Sequence, residues 1–214
     1  PEDLLGADET FKIELPVKYD GSSNQTSGTT RIAVRDDDSG IEGVVVTTIS
    51  YGEEDNVKAD DKYIDDSEIT KKNIYTNIVK NIDDYSRINV IYENVDTKRD
   101  TIQAKARLSS SYSNIEEDVD VNRWMGQLGY EYENEDSGKL FEYAKVNLYI
   151  QDAEWNDDSK VDYPGGFSRG RYSAPKTVVN DYRYDDESKG LNIQFRSDSS
   201  SSGVNHEFTY GVDY

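Results

Sequence analysis

Hydrophobic and polar residues alternate through 11–19, with Phe11, Ile13, Leu15, Val17 and Tyr19 in one phase and Lys12, Glu14, Pro16 and Lys18 in the other. A period of two puts the two sets on opposite faces of a half-buried strand. Pro16 has no amide hydrogen to give to a ladder, which assigns this strand to a sheet edge. Residues 21–30 hold only Gly, Ser, Asn, Gln and Thr. They read as a loop, followed by a short strand over 31–35 and a turn over 36–40. Residues 41–51 then carry Val44, Val45, Val46, Thr47, Thr48 and Ile49 in one β-branched run, the pattern of a strand covered on both faces.

A different spacing follows. Ile74, Tyr75, Ile78, Val79, Ile82 and Tyr85 recur three and four residues apart, and Asp66 or Ser67 can cap free amides ahead of them. This predicts one α-helix over about 67–85, with Lys71, Lys72, Asn73, Asn77 and Lys80 on its solvated face. Beyond it, 88–95 and 101–108 flank the polar stretch 96–100 and are expected to pair as a hairpin. Strands are also expected over 128–133 and 140–151. In the second, Leu140, Ala144, Val146, Leu148 and Ile150 share one face and Phe141, Tyr143 and Tyr149 the other, which suits a central strand or one that meets a partner. After a turn at Pro164, Gly165 and Gly166, strands are expected near 176–184, 191–196 and 206–210, with 197–202 as a polar loop.

No period of 20 to 50 residues recurs, so solenoids and propellers are excluded. About ten strands, one helix and frequent turns describe a mostly β fold, an antiparallel β-sandwich or jelly-roll-like barrel with one α-helix over about 67–85. Residues 1–10 have too few apolar side chains to form a core element and are expected to be an N-terminal arm. Residues 11–214 are expected to form a single β-rich domain, with 109–114 as the place where a subdivision could fall. With 214 residues the chain is long enough to bury about two-thirds of its unfolded surface.

Charge narrows the partners. There are 44 acidic against 24 basic residues, a net charge of −20, clustered at 36–38, 60–61, 65–66, 116–118 and 185–187. Such a field opposes binding to phosphate backbones and anionic membranes, whose affinity rests on Lys and Arg. Molar salt, where the Debye length falls to roughly 3 Å, or divalent cations held between carboxylates would relieve the repulsion. The Asp-rich loops look like the surfaces of proteins from salt-adapted sources. The apolar runs, such as 44–46, are far too short to cross a bilayer, and no basic or apolar leader follows Pro1, as expected either of a mature processed chain or of a sequence that simply starts there. No membrane insertion and no nucleic acid are therefore expected.

The chemistry is sparse. The chain has no Cys, which removes disulfides, thiolate nucleophiles and Cys-type zinc sites, and its single histidine, His206, sits in an alternating strand pattern without partners for acyl transfer. No nucleophile elbow, phosphate loop or dinucleotide fingerprint occurs. No catalytic or cofactor-binding residue is assigned, and the chain is expected not to be an enzyme. The best chemical candidates are cation sites for structural Ca²⁺ or Na⁺, namely Asp36 and Asp38 ahead of Gly40, and Asn156, Asp157 and Asp158. The segment from Asp118 fails the EF-hand spacing, with Arg123 at its sixth position and Gly129 at its twelfth. Trp124, Trp155 and Tyr163 are candidate stacking groups for glycans.

These readings favour a non-enzymatic structural subunit that assembles with copies of itself through edge strands or exchanged arms, in a virion (capsid, tail or surface) or an extracellular filament from a high-salt medium. The alternative is a calcium-dependent carbohydrate-binding or adhesion module.

Overall fold

A computed structural model describes residues 4–6, 8–21, 24–53, 66–103, 114–134, 141–168, 170–201 and 204–214. They form twelve strands: β1 Phe11–Glu14, β2 Val17–Asp20, β3 Gln25–Asp36, β4 Ile41–Glu53, β5 Asp66–Asp83, β6 Ser86–Gln103, β7 Asn114–Glu133, β8 Tyr143–Tyr163, β9 Gly166–Ser168, β10 Arg171–Ser173, β11 Lys176–Ser201 and β12 Val204–Asp213. Ten of them make one antiparallel sheet in the order β1-β3-β4-β5-β6-β7-β8-β11-β12, with β2 continuing the β1 edge along β3, and β9 and β10 form a small hairpin of their own. The mostly β, antiparallel class read from the sequence is the class of the structure. Its strands pair in chain order, as a meander.

The connections differ at the two ends of the sheet. The turns 37–40 and 84–85 lie at one end, where β3, β5, β7 and β11 finish and β4, β6, β8 and β12 begin; β2, β4, β6 and β8 finish at the other. Gly40 closes the first turn at φ 64°, a backbone region that a side chain makes costly.

Residues 67–85 are not a helix. They fall in β5 and the turn after it, and β5 pairs with β4 from Glu53↔Glu68 to Ile41↔Lys80 and with β6 from Asp66↔Ile102 to Asp83↔Ser86. The helical spacing arises from two interleaved strand faces, Ile74 and Ile78 on one side and Tyr75 and Val79 on the other. The ladders to two neighbours, on a chain rich in Ile, Thr, Val and Asn, override it. The hairpin expected around 96–100 is likewise absent, because β6 runs unbroken from Ser86 to Gln103; residues 104–113, with all of the 109–114 stretch except Asn114 at the start of β7, lie outside the described residues. The polar stretches 21–30 and 197–202, expected as loops, are strand from Gln25 and up to Ser201. Pro16 does lie on the edge, in the break between β1 and β2, where its carbonyl accepts the Thr29 amide at 2.9 Å.

Candidate functional site

The cross-strand register assigns the described side chains of the ten-stranded sheet's ladders to two faces, and the faces differ in kind. One rung runs Ile32, Val45, Thr76, Tyr92, Gly126, Ile150 across β3 to β8, and the next runs Val34, Gly43, Ile78, Val90, Leu128, Leu148, Leu191. The rung after that holds Ile41, Ile88, Tyr130, Val146, Ile193 and Val212, with Lys80 between Ile41 and Ile88. These rungs form a continuous apolar belt, joined at the edge by Phe11, Ile13, Val17 and Tyr19. Little of it is covered: Val90 is 46% exposed, Leu128 49% and Leu148 48%.

The opposite face is polar and more crowded. Along β4 to β7 its residues are mostly half-buried while those of the apolar face are mostly exposed, as on the concave side of a curled sheet. It carries cross-strand ion pairs: Arg31–Glu14 at 3.1 Å, Arg35–Glu42 at 3.0 Å, Arg87–Glu131 at 3.0 Å, Arg123–Glu93 at 3.1 Å and Arg196–Glu133 at 3.4 Å. The Arg31 and Lys12 hydrogen bonds hold the Glu14 carboxyl below its usual range. Burial, then Glu131, pushes the Tyr143 hydroxyl up. Gln127 donates to Asn147 at 3.4 Å, and Gly129, between Asn89 and Asn147 on its rung, leaves the room their amides occupy. Leu5 from the N-terminal segment is buried here against Ala33 and Val44, with Leu4, Val46 and Tyr75 around it.

In water this arrangement is inverted, since the apolar side chains face out and the ion pairs face the crowded side. The belt has boundaries. At the end with the 37–40 and 84–85 turns, Tyr132, Ala144, Phe195 and Tyr210 share a rung. There Phe141 packs edge-on to Tyr132 at 6.0 Å and against Phe195 at 5.3 Å, and Phe195 stacks on Tyr210 at 5.6 Å. Lys80, on the same margin, turns its ammonium down to the Ser39 carbonyl, which keeps the charge off the belt. At the other margin stand Tyr51, Tyr92 and Trp124.

Beyond that margin the apolar face turns charged. The first charged residue is Lys72 on β5, Asp96 on β6, Asp120 on β7, Asp152 on β8 and Lys189 on β11. This line is not level with the rungs. The Lys189 rung passes through Ile150, Tyr92 and Val45 inside the belt, whereas the Tyr19 and Tyr51 rung passes through Lys98, Asp120, Asn156 and Arg183 outside it. The belt therefore slips by about one residue per strand, which at 3.3 Å rise and 4.8 Å strand spacing is a tilt of about 35°. On β4 the belt runs from Ile41 to Tyr51, about 33 Å along the strand and about 27 Å once tilted.

The cation candidates are not brought together. Asp36 ends β3, and its carboxyl is held below the usual range by the Ser39 hydroxyl; Asp38 is in the turn. Asn156, Asp157 and Asp158 lie in the middle of β8 rather than in a turn, with Asn156 and Asp158 on the apolar-face side and Asp157 on the other. Among the described residues no three His, Cys, Asp or Glu side chains gather as a metal site. Trp124 is on the apolar face, while Trp155 and Tyr163 are on the polar face. His206 sits on β12, stacked on Phe208 at 6.1 Å. Sequence reasoning missed the belt because it read each strand separately; the alternation at 11–19 and 140–151 was the available signal. No protein-family model matches the chain, and no curated protein matches its sequence. Among the described residues no helix is long and apolar enough to cross a membrane, a criterion that does not apply to strands.

Proposed function

We propose that the chain forms part of the wall of a membrane-spanning antiparallel β-barrel of the outer-membrane type. The observation that carries this is the tilted, exposed apolar belt on one face of a meander whose other face is polar. Spanning barrels have an outward apolar band about 25 Å tall between aromatic girdles, strands tilted about 35–45° and a polar interior, and the belt, its Tyr, Trp and Phe margins, its slope and the ion-paired face fit each term. The expectation of no membrane insertion rested on the absence of long apolar runs, which spanning helices need and alternating strands do not. The end with the 37–40 and 84–85 turns is the periplasmic one on this reading, and the charged continuation of β5 to β11 stands outside the bilayer.

The test is insertion of the urea-unfolded chain into short-chain phosphatidylcholine vesicles. The chain should float with the vesicles, gain β-type circular dichroism, and have Trp124 quenched by lipids brominated on their acyl chains. A compact, vesicle-indifferent monomer in plain buffer would sink the reading. A second reading, the self-assembling extracellular or virion subunit, is favoured by the open edges at β1, β2 and β12, which present unpaired backbone for another copy. Regular filaments or shells in molar salt without vesicle binding would select it. Structural Ca²⁺ belongs with that reading and predicts loss of the assemblies in EDTA.

A further inference from the structure

Among the described residues, the polar face carries a patch that neither ion pairing nor the lipid reading accounts for. Apolar residues that fall on this face, such as Ile91, Val95 and Val121, are half-buried. Trp155 at 42%, Tyr184 at 58% and Tyr182 at 59% are not. Trp155 and Tyr184 are direct cross-strand partners on β8 and β11, and Tyr182 is two residues along, opposite Asp157. Further along β8 on the same face, the Tyr149 ring lies over Gly190, in the space a side chain there would need. Between these rings are Gln151, Ala153, Asp186 and Ser188, small or hydrogen-bonding residues that leave the rings proud; Ser188 donates to Asp186 at 3.2 Å. From Tyr149 to Trp155 is about 20 Å along the strand.

We propose that this strip binds a short oligosaccharide. Exposed rings in water leave unrecovered apolar area, about 25 cal/mol for each Å². The CH faces of pyranose rings cover such area, while their hydroxyls take hydrogen bonds from and to Gln151, Asp186 and Asp157 beside it. The carboxylates disfavour the other stacking ligand, a single-stranded nucleic acid, whose phosphates they repel. The lipid that would cover an apolar strip is on the other face. The proposal rests on the barrel reading, in which this face lines the aqueous interior.

The chain has two tryptophans, one on each face, so each reports one question. In the Trp124→Phe variant Trp155 is the sole indole. Inserted in vesicles, it should show a saturable emission shift on titration with at least one of maltohexaose, cellohexaose and chitohexaose. Tyr184→Ala should weaken that response about tenfold, the loss of one ring contact worth about 1.4 kcal/mol, and leave flotation unchanged. Unmodified protein tests insertion separately through Trp124 and brominated lipid. Insertion without any Trp155 response to the three saccharides overturns the sugar inference alone, as does a response to an oligolysine peptide or to single-stranded DNA but to none of them. Failure to insert removes the barrel reading, and this inference with it.

Discussion

Leu128 and Gln127 are neighbours in the chain with opposite surroundings, and they give the sharpest residue-scale contrast. Leu128 lies in mid-belt between Val90 and Leu148. Leu128→Arg should destabilise the vesicle-inserted chain by about 2–4 kcal/mol, the range for Arg at a bilayer midplane. Gln127→Arg, on the polar face beside Asn147, should cost less than about 1 kcal/mol. Denaturant unfolding of the two variants from vesicles checks the difference, and equal costs would contradict the face assignment. A second residue-scale effect lies beyond the belt, where Glu68, Asp100, Asp118, Asp158 and Asp181 share one rung. Desolvation, then Asp100, raises the Asp118 carboxyl above its usual 3.8. A carboxyl with a raised folded pKa binds its proton more tightly folded than unfolded, so its charged form destabilises the sheet above that pKa, and the penalty fades as pH falls through it. Asp118→Asn should therefore raise the unfolding midpoint at neutral pH. The gain over the parent should shrink as pH is lowered toward 3.8; a gain unchanged across that range would refute the repulsion.

At the scale of elements, ladder position decides the cost of a change. Val90 pairs with Ile78 on one side and Leu128 on the other, so Val90→Pro removes a donor from a central strand and should lower the unfolding midpoint well below that of the parent. Pro16→Ala, at the break in the edge, should shift stability by no more than about 0.5 kcal/mol. Circular dichroism of the parent should lack the helical double minimum, since 67–85 holds strand β5. That misreading shows what the sequence made legible. The β class, the Pro16 edge, the turn after Asp36, the strand at 41–51 and, within 140–151, the strand from Tyr143 onward follow from local periods and turn residues. The course of β5 does not, because Ile74, Tyr75, Ile78 and Val79 satisfy a helical spacing and a two-faced strand equally, and only pairing with β4 and β6 separates them. Polar strands such as β3 and the end of β11 carry Ser, Thr and Gly that signal loops until a ladder claims their backbone. The belt was the least legible feature: Val90, Leu128, Leu148 and Leu191 are far apart in the chain, and only the register makes them neighbours.

For the whole molecule, the decisive property is the direction of the two edges. Six antiparallel steps from β3 to β11 leave those strands parallel to each other; β1 pairs antiparallel with β3 and β12 with β11. The edge strands β1 and β12 therefore run the same way, and joining them directly would make a parallel seam. Copies in one bilayer share an orientation, so β12 of one copy would meet β1 of another in parallel as well. On the barrel reading, an all-antiparallel wall closes only around an odd number of further strands, the first running opposite to β12; the backbone groups of β12 that no described strand pairs favour such pairing at belt depth, where an unmet group is costly in hydrocarbon. Free subunits in water have no shared orientation. There a two-fold axis normal to the sheet lets β12 pair antiparallel with its own counterpart, placing a mid-strand residue against itself. Since the chain has no cysteine, single variants Phe208→Cys, Tyr210→Cys and Val212→Cys separate the cases cleanly. In vesicles none of the three should form a disulfide-linked dimer under mild oxidation. A dimer from one position of the series, in molar salt and without lipid, would show β12 pairing with itself and move the assignment from a membrane wall to the self-assembling subunit.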